Sequence, residues 1–319
     1  MKIKTGIISG AGYTAGELLR ILIHHPDVEI VFIHSISNAG NRISDVHQGL
    51  IGETDLYFTD QLQLNDVDAL FLCSAHGDSR QFLENNEIPQ EIKIIDLSMD
   101  YRHRATADGF VYGLPEINKS LIAKADRIAN PGCFATSIQL ALMPLAVNRL
   151  LNNEIHIHAI TGSTGAGVKP NATSHFSWRD NNISVYKVFE HQHLKEIAET
   201  LECPESQINF IPVRGNFSRG IFASIYTDCD LSENEAIELY SAFYKDSAFT
   251  FISDKNVDLK QVVNTNKCVL YLEKHGSKLL IISVIDNLLK GASGQAVQNF
   301  NLMFGLDERT GLNLKASGF

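Results

Sequence analysis

Residues Asn130–Thr136 place a cysteine, Cys133, at the predicted beginning of a helix. Asparagine, proline and glycine are common at helix entrances, and the apolar run Ser137–Leu145 follows directly. The unpaired N–H groups and the dipole of a first helical turn favour a negative charge, so a thiol there ionises more easily. Because a thiolate is a strong nucleophile near neutral pH, Cys133 is a candidate nucleophile. A small buried cysteine at a helix start is the alternative.

The stretch His191–Glu196 offers the base that a cysteine nucleophile requires. His193 and Glu196 are three residues apart, so they share a face if a helix begins there. A carboxylate beside an imidazole orients the ring and raises its basicity. His193 and Glu196 are therefore the candidate base and its partner, and a solvated histidine cluster is the alternative.

The N-terminal stretch predicts one mononucleotide-binding βαβ unit. Ile3–Ser9 is typical of a strand, Leu18–Leu22 of an apolar helix face and Glu29–His34 of a second strand. A glycine-rich turn with the pattern G-x-G-x-x-A lies between the first strand and the helix. This order of elements is that of dinucleotide-binding proteins.

Each small residue of that turn has a separate role. Gly10 permits the tight turn, Gly12 lets the backbone approach a pyrophosphate, and Ala15 lets the helix pack closely on the strand. The pattern alone is weak, but here it follows a strand and precedes a helix. We therefore expect dinucleotide binding, with a plain turn as the alternative.

The end of the second strand distinguishes NADP(H) from NAD. An NAD site usually has Asp or Glu there for the ribose 2′-hydroxyl, but no carboxylate occurs before Asp45. Ser35, Ser37 and Arg42 offer hydroxyls and a guanidinium instead, which suit a 2′-phosphate. The sequence thus favours NADP(H), and an ordinary polar loop is the alternative.

Hydrophobic patterns in this 319-residue chain predict two domains of different kinds. Ala69–Cys73, Lys93–Asp96 and Ala125–Ala129 are typical of buried parallel strands. Beyond Leu151, alternating strands are interspersed with helical runs such as Glu233–Tyr244. The expected fold class is α/β: a Rossmann-type NADP-binding domain plus a mainly antiparallel α+β domain.

A second loop of small residues, Thr161–Lys169, can bring backbone N–H groups close to a ring or an anion. A flexible loop is the alternative. Basic side chains are a further source of anion contacts, because guanidinium groups hold phosphate well. The candidate anion clamps are Arg102, Lys169, Arg214 and Arg219. For each of them, a solvated surface position is the alternative.

The composition limits the partners and the compartment. A formal net charge of -10 and a pI of about 5.6 argue against nucleic acid or an acidic membrane as a partner, but leave an anionic substrate possible. No apolar run approaches the roughly 20 residues of a membrane span, and no signal peptide is expected. The five cysteines are scattered without a C-x-x-C pair, so we expect no disulfide framework, no metal site and a cytoplasmic location.

Motifs distributed in order along nearly the whole chain carry a family resemblance. They are Gly12–Thr14 with Glu17–Leu18, Ile95–Ser98 with Asp100–Arg102, Tyr112–Glu116, Asn130–Cys133, Gly165–Gly167, His191–His193 with Glu196–Ile197, Asn264–Asn266 and Asp286–Ala296. Together they resemble the N-acetyl-γ-glutamyl-phosphate reductase family. That family is related to aspartate-semialdehyde dehydrogenase and, more distantly, to glyceraldehyde-3-phosphate dehydrogenase.

Two positions depart from the family's usual pattern. Where the family's turn usually reads G-A-S-G-Y-T-G, this chain has Ser9–Ala15, in which the glycines are shifted but the residues are still small. The family often has arginine between the two histidines, and this chain has Gln192 there.

The resemblance implies a role for each candidate residue. Cys133 is the nucleophile, His193 the acid/base and Glu196 the group that orients it, while Tyr186 packs near the nicotinamide and Asn287 holds its carboxamide. The implied cofactor-binding residues are Gly10, Gly12, Tyr13, Thr14, Ala15, Ser35, Ser37, Arg42, Gly165, Ala166 and Asn287. The implied substrate-binding residues are Arg102, Arg219 and His191, with His191 also the second choice as base.

The resemblance implies NADPH-dependent reduction of N-acetyl-γ-glutamyl phosphate to N-acetylglutamate 5-semialdehyde through a cysteine thioester, in arginine biosynthesis. The expected domains are a dinucleotide-binding domain over 1–132, completed by a C-terminal helix over 289–319, and a catalytic and dimerisation domain over 133–288. By analogy with the family, we expect a homodimer or homotetramer.

Three alternatives stay open. The same chemistry can act on an N-succinyl-glutamyl, aminoadipyl or aspartyl phosphate. A non-catalytic NADP(H)-sensing protein is a second alternative, against which the complete set of Cys133, His193 and Glu196 argues. A thiol hydrolase or transferase without a nucleotide is a third, and the two glycine-rich loops argue against it.

Overall fold

The computed structural model describes residues 2–318. Its strands are β1 (Ile3–Ile8), β2 (Val28–Ile33), β3 (Ala69–Leu72), β4 (Lys93–Asp96), β5 (Val111–Tyr112), β6 (Arg127–Ala129), β7 (Ile155–Thr161), β8 (Ser184–Val185), β9 (Ile208–Arg214), β10 (Ile221–Asp228), β11 (Thr250–Ser253), β12 (Cys268–His275) and β13 (Lys278–Ile285). Its α-helices are α1 (Tyr13–Leu22), α2 (Ile43–Val46), α3 (Asp78–Asn85), α4 (Pro115–Ile122), α5 (Cys133–Val147), α6 (Phe176–Arg179), α7 (Leu194–Leu201), α8 (Glu233–Tyr244) and α9 (Ser293–Met303).

The chain forms two compact units. The first contains the residues up to Pro131 together with Ala292–Asn313, and the second contains Gly132–Gly291 together with the residues from Leu314 onward. The last stretch was expected to lie with the first domain. In the structure it joins the second unit, where the N–H of Ser317 donates to the carbonyl of Val263 at 3.2 Å.

A six-stranded parallel sheet forms the centre of the first unit, in the order β2-β1-β3-β4-β6-β5. Its central strands are apolar on both faces; Ala69–Leu72, for example, is wholly buried. The strand order reverses between β1 and β3, and open α/β sheets bind ligands at the carboxyl ends of the strands at such a point. Ser9, just after β1, lies there with its Oγ 3.0 Å from that of Ser74.

Helix α9 is buried along its length within the first unit. Its polar side chains bond to that unit: Asn299 donates to the carbonyl of Gly113 at 2.8 Å and to Oδ1 of Asn130 at 3.0 Å. Asn301 lies 3.0 Å from Nε2 of His25, and Ser293 donates to the carbonyl of Thr14 at 2.7 Å. The C-terminal helix therefore completes the core around the parallel sheet.

The second unit is built on a seven-stranded mixed sheet in the order β11-β12-β13-β10-β7-β9-β8. The pairs β11–β12 and β7–β9 are parallel and the other pairs are antiparallel, as the sequence predicts for a mainly antiparallel domain. The alternating pattern of β7 buries every second residue. The expected α/β fold class with two different sheets is therefore confirmed.

Helix α5 lies in the core of the second unit. It is apolar on all sides and buried over most of its length, as expected of a helix covered by protein. The hydroxyl of Tyr240 donates to the carbonyl of Ala141 at 2.6 Å, and Oγ of Ser137 lies 2.9 Å from Oγ of Ser283. Within residues 2–318, no helix combines the length and apolarity needed to cross a bilayer.

Candidate active site

Helix α5 begins at Cys133, on a Gly132 N-cap with extended backbone angles. Among the described residues, no side chain caps this helix start, so its first N–H groups point toward whatever lies before the helix. Cys133 is partly exposed, whereas Cys73, Cys229 and Cys268 are buried. Burial and the charge of Asp96 raise the pKa of Cys73 to about 12. The geometry therefore favours Cys133 as the reactive thiol.

Glu196 connects the start of α7 to the start of α5. Its side chain is almost fully buried, and Oε1 accepts a hydrogen bond from the N–H of Gly132 at 2.8 Å. The sequence predicts that Glu196 orients His193. The structure adds a second contact, because the carboxylate also fixes the backbone immediately before Cys133.

His191 and His193 lie side by side and are both buried, with 4% and 6% exposure. Their ring centres are 4.7 Å apart, and the backbone N–H of His193 donates to Nδ1 of His191 at 3.2 Å. Phe134, the neighbour of Cys133, packs edge-on against both rings, at 5.3 and 6.4 Å. Both histidines therefore lie against the first turn of α5.

The two histidines differ in their fitness as a base. Burial, and next the charge of His193, lower the pKa of His191 to about 3. Its Nδ1 acts as an acceptor, which requires a lone pair on that nitrogen. His191 is therefore neutral near neutral pH and serves as support for His193.

Tyr186 and Arg214 complete this cluster. The guanidinium carbon of Arg214 lies 4.6 Å from the centre of the Tyr186 ring, and that ring lies 5.8 Å from the ring of His191. Burial, followed by the charge of the Cys133 thiolate, raises the pKa of Tyr186 to about 12, and Arg214 opposes this shift. Arg214 was only one of four basic candidates in the sequence, yet it is the one joined to the histidine cluster.

Arg219 has a different environment from Arg214. Its Nε and Nη2 donate to the two carboxylate oxygens of Asp286 at 3.1 and 3.3 Å. Asp286 is fully buried and also accepts from the N–H groups of Asn264 and Leu288, both at 2.8 Å. The structure therefore gives Arg219 a structural ion pair, which the sequence analysis did not anticipate.

Residues 286–291 form a loop that packs on Cys133. Asn287 accepts from the N–H of Gly220 at 2.7 Å and donates to Oγ1 of Thr164 at 3.0 Å, so its amide already joins two loops. A Cβ placed on Gly291 would lie only 2.8 Å from Cβ of Cys133. The absence of a side chain at Gly291 is therefore a condition for the position of Cys133.

The loop after β7 contains Gly165 and Ala166 in a short 3-10 turn, Ser163–Ala166. Gly162 is enclosed, since a Cβ there would lie 2.4 Å from the carbonyl oxygen of Ser218. A Cβ on Gly165 would meet only the Thr161 side chain, at an ordinary 3.5 Å. The loop is thus fixed at one glycine and accessible at the other.

The nucleotide turn of the first unit fits a pyrophosphate. Gly12 is the N-cap of α1, whose start has no side-chain cap in the part of the chain that the structure describes. A Cβ on Gly12 would meet no described atom within 4 Å, whereas one on Gly10 would lie 2.3 Å from the Ile33 side chain. Ala15 is fully buried, Tyr13 is exposed, and Thr14 follows at the second helical position. Free N–H groups and an open backbone here are what a pyrophosphate requires.

Ser9 occupies the position at which the family usually has glycine, and its φ is +61°. This left-handed region costs a residue with a Cβ on the order of 1 kcal/mol, which explains the family's glycine. His47 also supports the turn: its Nε2 lies 2.7 Å from the carbonyl oxygen of Gly10. The sequence gave no signal for His47, because it lies outside the glycine motif.

The end of β2 presents hydroxyls and a guanidinium, as predicted. Asn38 donates to Oγ of Ser35 at 3.2 Å and to Oγ of Ser37 at 3.1 Å. Nε of Arg42 donates to the hydroxyl of Tyr57 at 3.2 Å, which holds this exposed arginine in place. No carboxylate is part of this set of contacts among residues 2–318, so the site suits an anionic group.

Arg102 lies within the first unit and is 8% exposed. Its Nε donates to the carbonyl of Asn130 at 2.8 Å and its Nη2 to that of Leu97 at 2.9 Å. The sequence analysis expected this guanidinium to bind substrate. In the structure these two donors hold backbone, so Arg102 supports the segment that leads to the second unit.

The fold and both units define a semialdehyde dehydrogenase. Residues 4–125 match the family model of the semialdehyde dehydrogenase NAD-binding domain, and residues 133–287 match that of its dimerisation domain. Aspartate semialdehyde dehydrogenase II of Vibrio cholerae has a similar structure, with a TM-score of 0.72 and 14% identity over 96% of this chain and 99% of that one. The enzyme of Candida albicans, solved with NADP, gives 0.70 and 12% over 95% and 99%.

Sequence comparison narrows this class. N-acetyl-gamma-glutamyl-phosphate reductases of Azobacteroides pseudotrichonymphae and Parabacteroides distasonis are 69% and 63% identical to the chain, over 99% of its length and all of theirs. The chain belongs to the N-acetyl-gamma-glutamyl-phosphate reductase family. The resemblance seen in its motifs is thereby confirmed.

Proposed function

We propose that the protein reduces N-acetyl-γ-glutamyl phosphate to N-acetylglutamate 5-semialdehyde and inorganic phosphate, with NADPH as the reductant, in arginine biosynthesis. The observation that carries this proposal is Cys133 at the uncapped start of α5, against the buried pair His191 and His193. The relatives at 69% and 63% identity bear the name of this activity.

The first step is attack by Cys133. Its thiolate forms a bond to the acyl carbon, and the bond from that carbon to the phosphate oxygen breaks, which gives a thioester and inorganic phosphate. The N–H groups at the start of α5 favour the thiolate and the developing charge on the acyl oxygen. Glu196 maintains this arrangement through its bond to Gly132.

Bound NADPH supplies the hydride that reduces the thioester carbon. Within the first unit, the turn Gly10–Ala15 with Tyr13 and Thr14 would hold its pyrophosphate, and Ser35, Ser37 and Arg42 its 2′-phosphate. Gly165, Ala166 and Asn287 are the residues proposed for the nicotinamide end.

His193 supplies the proton that completes the reaction. It protonates the oxygen of the reduced thioester, and cleavage of the carbon–sulfur bond then releases the semialdehyde and returns the Cys133 thiolate. His191 is neutral and accepts from the His193 backbone, so its contribution is to position the acid. Glu196, in our proposal, also orients the His193 ring.

We further propose that the protein works in the cytoplasm as a homodimer or homotetramer. The dimerisation family model covers 133–287, and this stretch exposes a run of large apolar side chains. They are Phe176, Trp178, Ile183, Val185 and Phe189. Light scattering should show an oligomer, and Phe176→Ser with Trp178→Ser should shift it toward monomer more than the exposed-site control Val147→Ser.

The test of function is the reaction in reverse, with phosphate and each candidate semialdehyde. We expect the highest kcat/KM with N-acetylglutamate semialdehyde and NADP⁺. An equal or higher value with the N-succinyl, aminoadipate or aspartate semialdehyde would contradict the substrate, and an equal value with NAD⁺ would contradict the cofactor. Absence of turnover with all four, in protein that binds NADPH, would favour the sensing alternative.

A further inference from the structure

Arg214 carries a charge that the protein itself does not neutralise. Its Nε is buried and has no hydrogen-bond partner among the described residues. The other two arginine candidates are engaged, since Arg219 pairs with Asp286 and Arg102 donates to backbone carbonyls. A buried guanidinium nitrogen without a partner is costly, unless a ligand supplies the acceptor.

The position of Arg214 is fixed by its neighbours. It is the last residue of β9, and Nη1 of Arg179 donates to its carbonyl oxygen at 2.8 Å. Nη2 of Arg179 donates to Oγ of Ser184 at 3.1 Å, so Arg179 connects β8 to β9. The guanidinium of Arg214 lies over the Tyr186 ring. Arg214 is therefore held in place before any ligand arrives, which lowers the entropy cost of binding an anion.

Arg214 also lies on the side of the reactive cysteine. Tyr186, which it covers, is within electrostatic range of the Cys133 thiolate and packs against His191. Arg214 itself is among the charges that lower the pKa of His191. The arginine is thus separated from the cysteine and histidines by one aromatic side chain.

We propose that Arg214 binds the α-carboxylate of the acyl-phosphate substrate. This inference rests on the proposed function. The substrate has two anionic ends: the phosphate, bonded to the carbon that Cys133 attacks, and a carboxylate separated from that carbon by two methylene groups and the α-carbon. The phosphate must lie at the start of α5, whereas the carboxylate must lie one side chain away. The planar fork of a guanidinium matches a carboxylate in two parallel hydrogen bonds.

The same placement sets the length of the substrate. An aspartyl phosphate is one methylene shorter, so its carboxylate cannot reach Arg214 while its acyl carbon is at Cys133. An N-acyl group takes no part in this contact. Arg214 thus selects for chain length and charge at the amino-acid end.

The reverse reaction separates the two anions, because the semialdehyde carries the carboxylate and phosphate is added as a free ion. We expect Arg214→Gln to raise the KM for N-acetylglutamate semialdehyde about 10- to 100-fold, the usual range for a lost hydrogen bond to a charged group. The KM values for phosphate and NADP⁺ should stay within about twofold. Arg214→Lys retains the charge without the fork and should fall between. The exposed Arg149→Gln is the matched control and should leave all three unchanged.

A substrate analogue gives a second readout that loss of folding does not mimic. Replacing the α-carboxylate by a carboxamide should raise KM in the wild type about as much as Arg214→Gln does, and should have little further effect in that variant. A rise in KM for phosphate instead, or equal sensitivity of both proteins to the carboxamide, would overturn the assignment. A wild type that reduces no semialdehyde–phosphate pair would refute the proposed function itself.

Discussion

The nucleotide turn of the first unit and the thiol cluster of the second are built in opposite ways. The turn consists of adjacent residues, Gly10–Ala15, between one strand and one helix. The cluster draws Cys133, Tyr186, His191 and Arg214 from separate parts of the chain. A motif of adjacent residues is legible in a sequence, whereas a cluster assembled by tertiary packing is legible only in part.

Glycine shows the same contrast at single positions. Gly12 has open space where a side chain would be, so the protein itself does not require glycine there and a ligand does. Gly291 and Gly162 are enclosed, with a Cβ at 2.8 Å from Cys133 and 2.4 Å from Ser218. In the first unit glycine gives access, and in the second it permits packing.

The largest expected effect is that of Cys133→Ser. A serine hydroxyl is not ionised by a helix start near neutral pH, so turnover should fall on the order of 10⁴-fold or more. NADPH binding, measured by fluorescence titration, should be unchanged because it belongs to the first unit. Cys203→Ser is the control, since Cys203 is also partly exposed but is not in the cluster. A Cys133→Ser enzyme with substantial turnover would refute the nucleophile assignment.

The next effect separates the two histidines. His193→Asn should lower kcat by about 10²- to 10⁴-fold, the usual contribution of a general acid or base. His191→Gln should cost much less, because a glutamine oxygen can still accept from the His193 backbone. Steady-state rates of both variants test this. Equal losses would mean that the two rings share the proton-transfer role.

The sequence predicted most of the fold because its signals are local. Lys93–Asp96 and Glu233–Tyr244 have the bounds expected from periodicity, and the predicted helix after Asn130–Gly132 begins at Cys133. Alternation of buried and exposed residues was sufficient to predict the second sheet.

What the sequence did not predict depends on partners far along the chain. Asp286 is 67 residues from Arg219, and nothing in either segment indicates their ion pair. Arg102 donates to the Asn130 carbonyl 28 residues away, so its role as support was equally hidden. An arginine in a sequence shows its charge but not what neutralises it, and that is why Arg214 and Arg219 could not be told apart.

Crossed substitutions of two glycines test the comparison of the two units directly. Gly12→Val should fill the space over the nucleotide turn and raise the KM for NADPH about tenfold or more, with little change in the free energy of unfolding. Gly291→Ala should destabilise by about 1–3 kcal/mol through overpacking on Cys133 and lower kcat, but leave NADPH affinity intact. Denaturant titration and NADPH titration of both variants give the four values. Reduced stability in Gly12→Val, or weakened NADPH binding in Gly291→Ala, would contradict the division.

The smallest effect concerns pH and is confined to His191. Its pKa is lowered from 6.5 to about 3, so below pH 6.5 the unfolded chain binds a proton that the folded protein excludes, and stability falls as pH decreases toward 3. Between pH 7.5 and 5.5 this one group should cost about 1 kcal/mol, an amount that His191→Gln removes. His25 and His34, lowered by burial in the first unit, contribute equally to both proteins and cancel in the difference. Urea unfolding at the two pH values measures it, with His24→Gln, 62% exposed, as the control. Equal pH sensitivity of His191→Gln and the wild type would show that His191 is protonated in the folded protein, and therefore available as an acid.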